Sequence, residues 1–194
     1  MKTYFLIALF SFAASQFAQA QCDEFISDQQ LQPGMFAISK LLKGDSHDYV
    51  AEITAVAGET FECRFLHSNS EYKFVECKKS IGSSKSSMQA KVHSNKGGKY
   101  SQGTLFEFNF FMASPEPCNF DLMNDELYYV IAEFPDRKSY LGRMERVDEN
   151  FVIEFRHSGS VYTLNKNRTV IAVRGGTYAK GDLVILKHAR RLIF

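Results

Sequence analysis

Apolar and polar side chains alternate strictly where the chain reads "FVIEF": Phe151, Ile153 and Phe155 share one parity, and Val152, Glu154 and Arg156 the other. A period of two belongs to a half-buried strand, whereas a helix repeats every 3.6 residues. Tyr162 and Leu164 resume the pattern beyond "HSGS", so the spacing predicts a β-hairpin over 151–164. Phe61, Cys63 and Phe65 alternate in the same way before "HSNS", with Tyr72 and Phe74 after it. A turn centred on Ser68 and Asn69 sets Cys63 opposite Phe74. Cys77 then lies about 10 Å further along at about 3.3 Å per residue and faces away, which disfavours a disulfide between the two.

The two hairpins belong to a longer repeat. Phe61-x3-Phe65-x-His67-Ser68-x-Ser70-x-Tyr72 matches Phe151-x3-Phe155-x-His157-Ser158-x-Ser160-x-Tyr162 without a gap. Upstream, Tyr49, Val50, Glu52 and Ile53 answer Tyr140, Leu141, Arg143 and Met144; downstream, "GGKYSQGTLF" answers "GGTYAKGDLV". Three blocks in one order indicate an internal duplication.

The copies differ most between hairpin and Gly-Gly block, where the first carries about a dozen extra residues. This stretch, within 76–99, is rich in Ser, Lys and Gly, and its composition predicts a mobile surface loop. The expected organisation is therefore a first unit over 33–111 containing that insertion, a linker over 112–125 marked by Pro115 and Pro117, and a second unit over 126–190. The linker has room for one helical turn at Phe120 to Met123. Four or five short strands per copy make a unit too small to be stable alone, so the copies are expected to pack together or to depend on disulfides.

Residues 1–20 stand apart. Lys2, an apolar run from Tyr4 to Phe12, and Ala18-Gln19-Ala20 form the pattern of a cleaved secretory signal, and the run is too short for a spanning helix. The expected location is secreted or periplasmic, with no integral membrane span. Lys2 is one of 23 basic side chains against 22 acidic ones, so its removal leaves a formally neutral chain and no global argument for nucleic-acid binding. In an exported chain, four cysteines (Cys22, Cys63, Cys77 and Cys118) predict two disulfides, of undetermined pairing. With 18 Phe and 9 Tyr the chain is rich in β-forming aromatics.

The order of signals, in which the aromatic-led strand from Tyr49 to Ile53 precedes an F-x-x-x-F strand and its turn, resembles the Tudor/agenet branch of SH3-like small barrels. The likeness covers residues 34–75 and 128–165. It implies an all-β protein of two tandem SH3-like barrels. Tudor-like domains bind methylated side chains in an aromatic cage, but the turns here carry His67-Ser68-Asn69-Ser70 and His157-Ser158-Gly159-Ser160, with no aromatic at the tip.

The chemistry expected is that of a non-catalytic binding module for a peptide, protein or glycan. Its groove would lie at the seam between copies, bordered by Tyr49, Tyr72, Tyr140 and Tyr162. A second candidate is a polyanion surface built from Lys78, Lys79, Lys85 and Lys91 in the insertion. A third is a hydrolase using His67 or His157. The His-Ser steps fit a turn better than a catalytic pair, because adjacent residues on a strand point to opposite faces. A metal site made from His67 and His157 would require the two turns to converge. The chain has no C-x-x-C, H-E-x-x-H, G-x-G-x-x-G or nucleophile elbow, so neither metal nor cofactor is expected.

Overall fold

The computed structural model describes residues 25–26, 30–44, 47–80, 86–115, 120 and 127–194. The expected leader, and most of the linker with its predicted helical turn, lie outside the described residues. What is described is all-β, with thirteen strands and, among these residues, no helix long and apolar enough to cross a membrane.

After β1 (Phe25–Ile26), the first half contains β2 (Phe36–Leu41), β3 (Tyr49–Ala57), β4 (Thr60–Phe65), β5 (Glu71–Ser80), β6 (Ser87–Lys96) and β7 (Leu105–Ala113). Each pairs antiparallel with the next, and β7 also pairs with β2, so the ladders return to the strand they started from. The second half contains β8 (Tyr128–Glu133), β9 (Ser139–Val147), β10 (Asn150–Phe155), β11 (Ser160–Leu164), β12 (Val170–Arg174) and β13 (Ile185–Leu192). Here β8 to β12 pair in sequence and β13 returns to β8, while the β12 end meets the approach to β13 through one bridge, Thr169 with Leu183. Each half has six strands, where the alternation alone predicted four or five.

Alternation explains the cores. Inward positions of the first half gather Phe61, Phe65, Phe74, Phe106, Phe108 and Phe110, all essentially inaccessible. Phe74 and Phe108 meet edge to face at 4.8 Å. Burying one such ring contributes about 1.5–3 kcal/mol. The second half is built likewise from Phe134, Phe151, Ile153, Phe155 and Leu164, with Phe120 sealing it beneath the Arg168 guanidinium.

A third cluster joins the halves: Phe36, Ile38, Val50 and Phe111 from the first meet Ile131, Leu141 and Ala189 from the second. β13 reinforces the junction by pairing with β8 over Ile185–His188 and then with β7 over Ala189–Arg191. Leu192, near its end, is buried in the first core. Packing between the halves, one of the two expected sources of stability, is present.

The other source, disulfides, is not present among the described residues, and the expectation for Cys63 and Cys77 is corrected. Both are free thiols. Cys63 points into the phenylalanine core, where burial pushes its thiol pKa far up, and Cys77 is exposed on β5. Cys22 and Cys118 lie outside the described residues. The hairpin register also differs from the expectation by two residues: Cys63 pairs with Tyr72, and Phe61 with Phe74. The reversal centres between His67 and Ser68, since Arg64 faces Glu71.

The Lys/Ser-rich stretch is largely strand, not loop. β5 extends to Ser80 and β6 covers Ser87–Lys96, with Met88, Ala90 and Val92 buried at alternate positions. The period of two was concealed by the polar residues that face solvent.

Candidate functional site

Each His-Ser turn is built the same way. The N–H of Asn69 donates to the carbonyl of Phe65 at 2.8 Å, and that of Gly159 to Phe155 at 2.8 Å. Both donors have left-handed backbones, φ 54° and 67°, which Asn and Gly tolerate. Ser68 and Ser70 hydroxyls lie 2.6 Å apart, and Ser158 and Ser160 hydroxyls 2.7 Å. The serines thus tie the turn to itself, and the histidine between turn and strand lies against a tyrosine of the neighbouring strand. His67 packs on Tyr49 at 5.2 Å, and His157 stacks flat on Tyr140 at 5.1 Å and 11°.

The Gly-Gly-x-Tyr blocks complete the arrangement. The N–H of Tyr100 donates to the Tyr72 hydroxyl at 3.2 Å, and that of Tyr178 to Tyr162 at 3.4 Å. Tyr100 then donates its own hydroxyl to Tyr49 at 2.7 Å. Tyr178 donates to the Asp136 carboxylate at 3.0 Å and sits 3.4 Å from the Tyr140 hydroxyl. Desolvation, followed by these two hydrogen bonds, holds the Tyr178 phenol far above its ordinary range. Each half thereby forms an aromatic cup. The first, of about 190 Å³, lies among Phe65, His67, Tyr72 and Tyr100; the second, of about 100 Å³, among Phe134, Tyr140, His157 and Tyr178. They differ at three wall positions: Phe134 and Tyr140 line only the second, and Lys99 of the first occupies the place of Thr177 in the second. Lys99 lays its ammonium over Tyr100 at 4.9 Å, whereas the second cup has exposed Thr177 there.

Between the cups lies a seam cavity of about 240 Å³, lined by His47, Asp48, Tyr49, His67, Arg156 and His157. His67 borders both this cavity and the first cup, and His157 both this cavity and the second, so the three hollows adjoin in a row. Arg156 forms an ion pair with Asp48 across the seam, and Lys40 approaches the same carboxylate at 3.3 Å. Desolvation and then the Lys99 charge lower the His67 pKa; desolvation and then His67 lower that of His157.

The four tyrosines singled out in the sequence are divided between places. Tyr49 lines the seam cavity, Tyr72 the first cup, and Tyr140 and Tyr162 the second. Tyr72 and Tyr162 are almost wholly buried and offer the groove little beyond the hydroxyl edge. Tyr100 and Tyr178 were missed as site residues although the repeated Gly-Gly-x-Tyr marked both. The turns of His67 and His157 do converge, yet among the described residues no three His, Cys, Asp or Glu side chains form a group able to hold a metal. Of the basic residues, Lys79 pairs with Glu76 at 3.5 Å and lies over Phe194, Lys78 stands opposite Gln89 and Lys91 opposite Val75. Lys85 lies outside the described residues. No protein-family model, no curated protein and no solved structure matches the chain.

Proposed function

We propose that the protein is an exported, non-catalytic binding module made of two duplicated SH3-like small barrels, whose groove takes an extended ligand: a peptide, protein or glycan. The returning ladders around a phenylalanine core support the barrel reading, and the paired His-Ser turns, Tyr–Gly contacts and cups support the duplication. The observation that carries the binding reading is that the three hollows adjoin, with His67 and His157 as shared walls. Two like cups, linked through His67 and His157 across a cavity, offer repeated contacts along a line, as a polymer ligand requires. Each serine of the two steps is bonded to the serine two residues on, which favours the turn role over a nucleophilic one.

The test is binding of the full chain to arrays of peptides and oligosaccharides, compared with Thr177→Trp. Thr177 is exposed, so the indole fills the second cup without entering the core. Ligands of the groove should lose at least about tenfold in affinity, the effect of roughly 1.4 kcal/mol. Unchanged binding by the variant would overturn the groove. Retention that depends on Lys78, Lys79 and Lys91 instead would favour a polyanion surface on β5 and β6.

A further inference from the structure

The seam cavity is walled by nitrogen-bearing side chains drawn from both halves: His47 and His67 from the first, Arg156 and His157 from the second. Its carboxylate, Asp48, is already engaged by Arg156 and by Lys40. Lys99, from the Gly-Gly loop, is close enough to His67 to act on its charge. Lys40 and Arg156 therefore share one acid, and Lys99 adds a further cation over the Tyr49 and Tyr100 rings, whatever the histidines carry. The Nδ1 atom of His157 is buried with no hydrogen-bond partner among the described residues, while Tyr140 lies flat on its ring. A buried polar atom of this kind is costly unless something else meets it.

We propose that the seam cavity seats an anionic group, the carboxylate or sulfate of an acidic polysaccharide, between His67, His157 and Arg156. This rests on the groove reading above and deepens it. A glycan fits better than an acidic peptide for two reasons. The cups present tyrosine faces and the hydroxyls of Ser68, Ser158 and Thr177. The strands that carry the seam residues are paired on both sides, β3 with β2 and β4, β10 with β9 and β11, so the seam itself offers no edge for an added peptide strand.

The seat is pH-dependent. Burial, reinforced by the Lys99 charge at His67 and by His67 at His157, lowers the pKa of both imidazoles, and an anion placed between them favours a proton on each. By reciprocity, affinity rises as pH falls through the histidine range. The charged and titratable groups facing the pair are His47, Asp48 and Tyr49 at the start of β3, Lys40 on β2, Lys99, Arg156 and Tyr140. Each unit by which the anion raises one imidazole's pKa multiplies the affinity about tenfold.

Calorimetry of the full chain tests this with three probes: hexameric oligogalacturonate, its methyl ester, and poly-glutamate of matched charge, each at about pH 5.5 and about pH 8. Oligogalacturonate should bind at least about tenfold more tightly at the acid pH. Joint replacement His67→Gln and His157→Gln should abolish that difference, and Arg156→Gln should weaken binding at both pH values, which keeps the test usable if the double variant does not fold. Affinity independent of pH, a pH effect that survives the double variant, or poly-glutamate binding equally tightly would each overturn the proposal. Equal binding of the ester at both pH values, weakened by Thr177→Trp, would remove the anion seat and leave the groove. No binding of any probe, with Thr177→Trp indistinguishable from the parent on the arrays, would remove both.

Discussion

The Tyr72 hydroxyl rests directly against the α-carbon of Gly98, so closely that a Cβ there would collide with the ring and the oxygen; Tyr162 and Gly176 repeat the relationship. The glycine is required by closeness, not by backbone angle. Gly98→Ala and Gly176→Ala should each destabilise the protein by about 1–3 kcal/mol, as overpacking does. Chemical denaturation checks this. At Gly97, where φ is +74° and nothing crowds a Cβ, Ala should cost about 1–2 kcal/mol through backbone strain alone.

Cys63 and Cys77 should respond oppositely to a thiol reagent. Cys77 is exposed and should alkylate in the folded protein within the labelling time, whereas Cys63, buried with its pKa driven up, should react only on unfolding. Peptide mapping after timed labelling reads both sites separately, and rapid labelling of Cys63 in the native chain would contradict the core packing.

The Asp48–Arg156 ion pair ties the halves at a partly exposed position, with side-chain exposures of 16% and 31%. Asp48→Asn should therefore cost no more than about 1 kcal/mol, and less in high salt. A larger loss would mean that the pair, and not the apolar cluster of Phe36, Phe111 and Leu141, holds the seam.

Stability should fall on mild acidification. In the unfolded chain His67 and His157 titrate near their ordinary value, and in the folded chain lower, so between those values the unfolded state binds more protons. Their contribution is complete above the ordinary histidine range and is lost as pH falls toward the folded values. Melting temperatures measured across that range should drop, and the drop should shrink in His67→Gln or His157→Gln.

Period-two patterns exposed most strands, because side chains on opposite faces of a half-buried strand meet different solvents. Three features escaped for definable reasons. The register of the first hairpin slipped by two because a left-handed Asn69 shifts the centre of the reversal, a backbone property that serine-rich composition does not specify. β6 escaped because its inward residues, Met88, Ala90 and Val92, are separated by Gln89, Lys91 and His93, whose polarity dominated the composition of the stretch. The groove was half legible. The repeated tyrosines and histidines were visible, but the ion pair between Asp48 and Arg156 depends on how the halves meet, which no local pattern encodes.

β13 serves as a border of both halves, first on β8 and then on β7, and carries Leu192 into the first core. During synthesis the earlier half must therefore wait, with the Phe111–Ala113 end of β7 uncovered, until β13 has emerged. A protease nick between the halves would leave the fragments clasped together, whereas removal of β13 alone would loosen both at once.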